Sequence, residues 1–290
     1  MFKGAITAIV TPFRDGGVDE PALRELIEWQ IQAGIDGLVP CGSTGESATL
    51  THAEHEHVVK VTVEQARGRV PVIAGTGSNS TAEAIRLTAA ARELGADGAL
   101  LISPYYNKPT QEGIFKHYKT IAASVDLPLL VYNIPGRTAS NIMPETFARL
   151  AEIKNIVGAK EASGSMDQTS DMIGLCGDRL SILSGDDALT VPMMALGAKG
   201  VITTTGNVTP REIHDLAASA LAGDFGRARE IHYRMLPLMR SLFLETNPIP
   251  VKQAMAWMGK CANELRMPLM PMSSGPAERL RAAMKDLKLI

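Results

Sequence analysis

The chain is expected to fold as an α/β protein, a (β/α)8 TIM barrel with a C-terminal helical extension, and three observations predict it. Eight short apolar, β-branched runs recur along the sequence, most are followed by a turn signal and a helical pattern of Ala, Leu, Glu and Arg, and no strand signal returns after about Pro210. The runs are Ala5 to Val10, Gly37 to Pro40, Pro71 to Ala74, Ala99 to Ile102, Leu129 to Tyr132, Ile156 to Lys160, Ser181 to Ser184 and Val201 to Thr204. Their spacing of roughly 20 to 35 residues is the length of a strand plus a crossover helix, so they read as βα units of a parallel sheet. Eight units close a barrel. A doubly wound sheet has fewer units and an early Gly-x-Gly-x-x-Gly turn, which is missing here. Beyond the last strand, the stretch through Leu221, then Asp224 to Leu244 and Ile249 to Met258, is helical in pattern. A Pro- and Met-rich connector follows, and then an amphipathic helix, Pro276 to Lys288. The expected division is a barrel carrying the active site over 1–224 and a helical domain over 225–290.

At 290 residues, with a net charge of -2 and charges spread along the chain, the protein can bury a large core and shows no basic block for nucleic acid. Apolar runs such as Leu127 to Val131 are far too short to span a bilayer, and the N-terminus lacks the pattern of a signal peptide; a cytoplasmic protein without membrane association is expected. Cys41, Cys176 and Cys261 are widely separated and form no C-x-x-C pair, which argues against a disulfide framework or a structural zinc site.

In a barrel of this kind the C-terminal ends of the strands build the site. Polar, Gly-rich clusters fall there: Gly42 to Glu46, Gly75-Thr76-Gly77, Pro104 to Asn107, Tyr132 to Thr138, Lys160-Glu161, Gly185-Asp186-Asp187 and Thr203 to Asn207. Lys160 ends a buried strand, where lost hydration lowers the pKa of an ammonium toward the range in which the neutral amine attacks a carbonyl. Its alternatives are a head group that snorkels to solvent or pairs with Glu161. Tyr132 ends the preceding strand and can move protons, or can simply pack in the core; Arg137 can hold a carboxylate through two parallel hydrogen bonds, or can be an exposed turn residue. A Schiff-base site needs all three groups together.

Ser43-Thr44-Gly45-Glu46 reads both as a capping box before a helix and as hydroxyls and amides that hold a small anion. His52, His55 and Glu56 share a helix face, but no further ligands close a coordination shell, so neither metal nor other cofactor is expected.

At these positions the chain resembles the dihydrodipicolinate synthase family within the N-acetylneuraminate lyase superfamily of class I aldolases. The resemblance runs from Ala8-Ile9-Val10-Thr11-Pro12 through Gly42 to Leu50, Tyr132-Asn133 with Pro135, and Lys160-Glu161-Ala162, to Asn247-Pro248-Ile249-Pro250-Val251-Lys252. It implies a homotetramer, a dimer of tight dimers, that condenses pyruvate with L-aspartate 4-semialdehyde on the route to lysine. It also implies roles for single residues. Lys160 is the pyruvate nucleophile and Tyr132 the proton carrier, while Thr44 links Tyr132 to Tyr106 from the neighbouring subunit. Ser43 and Thr44 hold the pyruvate carboxylate, Arg137 holds that of the semialdehyde, and the carbonyls of Gly185 and Ile202 line the pocket. Family members that respond to L-lysine bind it at positions matching Ser47, Ala48, His52, His55, Asn79, Glu83 and Tyr105, although Ser80-x-x-Glu83 also reads as a capping box. One departure is Ser43, where the family more often has threonine. Gly-Ser-Thr-Gly-Glu also occurs in the sialic-acid lyase branch, so cleavage of N-acetylneuraminate or a 2-keto-3-deoxy sugar acid by the same imine is the alternative. A non-catalytic barrel that binds a small anion is a third possibility, in which Lys160 forms no imine.

Overall fold

A computed structural model describes residues 2–290. Eight parallel strands form the barrel: β1 (Gly4–Ala8), β2 (Gly37–Val39), β3 (Ile73–Gly75), β4 (Gly98–Ile102), β5 (Leu129–Asn133), β6 (Ile156–Glu161), β7 (Ser181–Ser184) and β8 (Gly200–Thr203). They are hydrogen-bonded in the order β2-β1-β8-β7-β6-β5-β4-β3. The seam between β2 and β3 is closed by the parallel bridge of Leu38 with Val72 and by the Leu38 and Gly75 amides, which donate to Pro71 and Pro40 carbonyls. All eight expected strands are present, with ends shifted by at most two residues. A two-stranded ribbon, Phe13–Arg14 with Gly17–Val18, lies between β1 and the first helix and was not anticipated.

The alternation of side chains along each strand sorts the barrel into two layers. Ile6, Val39, Ile73, Leu100, Leu130, Leu183 and Ile202 point inward and fill the lumen as one buried cluster with Tyr132. Leu129, Val131, Ala159 and Ile182 point outward against the surrounding helices. Those helices are α1 (Glu20–Gln32), α2 (His52–Ala66), α3 (Thr81–Glu93), α4 (Gln111–Ser124), α5 (Pro144–Leu150), α6 (Met166–Cys176), α7 (Thr190–Leu196) and α8 (Pro210–Leu221). Their starts are set by side-chain caps: Asp19, Thr110 and Ser165 each accept from a backbone amide of the first turn, and Thr51 with Glu54 forms a full capping box.

The tail adds α9 (Phe225–Ser241), α10 (Ile249–Trp257) and α11 (Ser274–Asp286). Its apolar side chains Ile231, Leu238, Val251, Met255 and Leu280 bury into the same cluster as Leu23 of α1 and Leu216 of α8, so tail and barrel share one core. Among the described residues no helix is long and apolar enough to cross a membrane.

Candidate active site

A cavity opens at the C-terminal ends of the strands, lined by Ala8, Val39, Gly42, Ser43, Thr44, Leu100, Tyr132, Ile134, Arg137, Lys160, Gly185, Thr204, Phe243 and Asn247. Lys160 sits at its floor, 7 % exposed. On β6 the inward positions are Gly158 and Lys160 and the outward ones Ala159 and Glu161, so the lysine is aimed into the lumen by the period of the strand. Tyr132 is its register partner on β5, and Lys160 Nζ stands 4.3 Å from the centre of the tyrosine ring.

Glu161 does not pair with this amine. It faces the other side of the strand, accepting from the Asn133 side chain at 3.0 Å and the Ser163 amide at 2.6 Å. Room for Lys160 comes from Gly185: a Cβ there would lie 2.9 Å from Lys160 Cε.

Burial lowers the Lys160 pKa to about 8; nearby Arg137 acts in the same direction and Asp187 opposes both. At pH 7 about one Lys160 in ten is then neutral, against about three in ten thousand for a lysine at the ordinary value. Because the folded-state pKa lies below the unfolded one, this group costs stability below pH 8, and the cost fades as pH rises from about 8 to 10.5. The initial rate of imine formation with an α-keto acid should therefore rise nearly tenfold from pH 6 to 7 and level off above about pH 8. Rapid-quench trapping across pH 5.5–10 measures it, and a rate still climbing tenfold per unit at pH 9 would show an unperturbed amine. Burial also pushes the Tyr132 hydroxyl up to about 12, with Arg137 opposing, so it stays protonated and able to donate.

The turn after β2 carries Ser43 and Thr44. Cys41 and Glu46 both hold left-handed backbone, φ +55° each, a strain that recurs where loops are shaped for ligands. The Gly45, Glu46 and Ser47 amides are used within the turn, donating to the Gly42 and Ser43 carbonyls. Among the described residues nothing accepts from the Ser43 or Thr44 amide, and both residues line the cavity. The capping-box expectation at Ser43–Glu46 is not met, because the Glu46 carboxylate turns away to Lys252 and the Arg266 amide.

Arg137 stands at the solvent-reached mouth, on a short helical turn, Pro135–Thr138, and donates to the Asn247 carbonyl at 2.8 Å. Asn247 Nδ2 donates to Thr44 Oγ1 at 2.9 Å, which leaves the Thr44 hydroxyl hydrogen free to be donated elsewhere. Among the described residues no hydrogen bond joins Thr44 to Tyr132. Tyr106 is outside the cavity, 89 % exposed on left-handed backbone with φ +72°. Ile202 belongs to the apolar filling of the lumen, and the lining residue on its strand end is Thr204.

Thr204 lines the cavity from the expected Thr203 to Asn207 cluster, whereas Phe243 and Asn247 come from the tail, outside the strand-end clusters. The signal for Asn247 was present in the Asn-Pro-Ile-Pro run that opens α10.

A second polar group lies on the surface beside the turn. His52 Nε2 is 3.0 Å from Glu83 Oε1, Ser78 Oγ donates to Glu83 Oε2 at 2.5 Å, and Asn79 Nδ2 donates to the Tyr105 carbonyl at 3.2 Å. The hydroxyl of Ser78 and the imidazole of His52 hold the Glu83 pKa below its ordinary value. The Ser80 side chain caps α3, while Glu83 is engaged elsewhere and does not close the box. Ser47 and Ala48 form the 3-10 turn Ser47–Thr49. His55 differs from His52: it is buried, with Nε2 2.7 Å from the Gly75 carbonyl, and burial lowers its pKa. Glu56 pairs with Arg86, and His57 with Glu20. Among the described residues no three His, Cys, Asp or Glu side chains converge as metal ligands.

The model of the dihydrodipicolinate synthetase family matches residues 1–287. The chain belongs to that family. A 4-hydroxy-tetrahydrodipicolinate synthase of Geotalea uraniireducens is 57% identical over 290 residues, covering 100% of both chains. The crystal structure of a chloride-inhibited dihydrodipicolinate synthase from Acinetobacter baumannii complexed with pyruvate is 46% identical with a TM-score of 0.98, covering 100% of each chain. A family structure from Cyanidioschyzon merolae with lysine bound is 40% identical, TM-score 0.97, covering 100% of this chain and 99% of that one.

Proposed function

We propose that the chain is a 4-hydroxy-tetrahydrodipicolinate synthase that condenses pyruvate with L-aspartate 4-semialdehyde through an imine on Lys160. One observation carries the reading: a buried amine with a pKa of about 8 stands over the ring of its register partner Tyr132, inside a cavity whose mouth holds Arg137. The neutral amine adds to the keto carbon of pyruvate and water leaves, giving a protonated imine. That imine is an electron sink, so a methyl proton can depart and the resulting enamine attacks the aldehyde without metal or other cofactor. Tyr132 moves the protons. The Ser43 and Thr44 hydroxyls and amides bind the pyruvate carboxylate, and the Arg137 fork takes the carboxylate of the semialdehyde. Gly185 clears the space in which the lysine swings. Full-length curated relatives of the same name support the choice of substrates. The test is product formation from pyruvate and the semialdehyde, followed by NMR, beside incubation with N-acetylneuraminate; turnover of the sugar acid alone would overturn this reading.

The working unit in this proposal is a homotetramer built from tight dimers, with Tyr106 completing the relay through Thr44 of a partner subunit. An almost fully exposed tyrosine on strained backbone is poorly suited to a free surface and well suited to insertion into another chain. Tyr106→Phe should lower kcat about tenfold or more with the fold intact by circular dichroism. A variant verified as monomeric by sedimentation that keeps full activity would remove the shared relay.

L-lysine is proposed as an inhibitor at the surface group of Ser47, Ala48, His52, Asn79, Glu83 and Tyr105, with His55 forming the wall behind it. Glu83 supplies the counter-charge for an ammonium and already holds two polar partners, His52 and Ser78, and a lysine-bound family structure supports the choice of ligand. Titrating lysine against the initial rate should show inhibition, with the half-inhibiting concentration raised about tenfold or more in Glu83→Ala, the loss of one charge-assisted contact. An insensitive wild type would defeat the proposed site.

A further inference from the structure

One buried ion pair is not used by the chemistry above. Glu46 closes the turn that carries Ser43 and Thr44, and Lys252 lies on α10 of the tail; their side chains are 1 % and 0 % exposed. Glu46 Oε1 is 2.5 Å from Lys252 Nζ, an ion contact that is not aligned as a hydrogen bond. Lys252 Nζ also donates to the Glu264 carbonyl at 2.8 Å and stands 4.0 Å from the centre of the Phe13 ring. The other Glu46 oxygen accepts from the Arg266 amide at 3.1 Å.

A pair this dry is a poor way to gain stability, since apolar residues of the same volume usually serve as well. What it supplies is geometry. Glu46 is two residues from Thr44, and the turn between them is stiff: the Glu46 amide donates to the Ser43 carbonyl, and Thr11 Oγ1 donates to the Gly45 carbonyl at 2.7 Å. A displacement of the Glu46 carboxylate is therefore transmitted to Ser43 and Thr44. The tail grips the same turn a second time, where Asn247 donates to Thr44 Oγ1.

We propose that the Glu46–Lys252 pair is a positioning device for the turn that binds the keto acid's carboxylate, so that the helical tail is a working part of the active site. This rests on the imine reading, with pyruvate as the ligand of Ser43 and Thr44. Burial pulls the Lys252 pKa down and Glu46 opposes that pull. In Glu46→Gln the lysine can therefore shed its proton, leaving a neutral pair in a folded chain with a loosened turn.

The experiment measures how borohydride trapping of Lys160 depends on pyruvate concentration, using the full chain as wild type, Glu46→Gln, and the Glu46→Gln/Lys252→Met double variant, which holds no lone buried charge if the single variant fails to fold. Both variants should need about tenfold more pyruvate for half-maximal trapping, while saturating pyruvate still labels Lys160 to completion. A folded variant with the wild-type half-saturation would overturn the proposal and leave the pair a structural contact. No adduct in the wild type would instead remove the imine reading, and this proposal with it.

Discussion

Replacing Lys160 by alanine is expected to abolish the pyruvate adduct and to lower kcat/KM for condensation by about three decades or more, equivalent to roughly 4 kcal/mol of transition-state stabilisation. The size of the effect follows from what is removed. Without the imine, the methyl proton of pyruvate must leave from a neutral ketone, and none of the remaining groups in the cavity can act as an electron sink. The fold should survive, because Lys160 lies one residue before the end of its strand, lines the cavity and, among the described residues, forms no ion pair. Far-UV circular dichroism beside steady-state kinetics checks both points, and a folded variant retaining a tenth of the wild-type rate would contradict covalent catalysis at this residue.

Arg137→Ala should separate the two half-reactions. The pyruvate adduct should still form to completion at saturating pyruvate, while kcat/KM for the semialdehyde falls about a hundredfold, or roughly 3 kcal/mol, the expected loss for a charge-assisted bidentate contact. A smaller share of the loss comes from Asn247, whose carbonyl Arg137 holds at 2.8 Å. Arg137 is itself at the solvent-reached mouth, so its removal strands no buried charge. Normal turnover of the semialdehyde in this variant would shift the assignment toward a substrate without that carboxylate.

The barrel was legible because its information is local and repeated. Each β-branched run followed by a helical pattern names one βα unit, and the parity of a strand places Lys160 and Tyr132 inward without knowledge of the rest of the chain. The same parity, carried one residue further, sends Glu161 outward, which disposes of the simplest non-catalytic account of Lys160. Local patterns mislead where a side chain has a better distant partner. Ser43-x-x-Glu46 has the spacing of a capping box, yet Glu46 is drawn to Lys252 and Arg266 in the tail, while the box itself forms at Thr51–Glu54. His55 has the spacing of a surface histidine, yet Gly75 offers its carbonyl in the interior.

The contribution of the tail was the least legible part. Asn247 meets Thr44 across 203 residues of sequence, and Phe243 reaches the cavity from the end of α9, contacts that no helical periodicity encodes. The Asn-Pro-Ile-Pro-Val-Lys run was visible as a motif, but only the fold shows that its first residue touches Thr44 and its last touches Glu46. The ribbon at Phe13–Val18 and the turn of helix at Pro135–Thr138 escaped because two to four residues carry too little pattern to be read.

The central claim is that Lys160 is the amine that captures pyruvate, and trapping tests it most directly. The full-length protein is incubated with pyruvate and sodium borohydride, digested, and mapped by tandem mass spectrometry. Lys160 alone should carry the reduced pyruvyl group, with activity lost in proportion to its labelling and with no label when either reagent is left out. An adduct on another lysine, or an unmodified Lys160 in a protein that still turns over both substrates, would contradict the account.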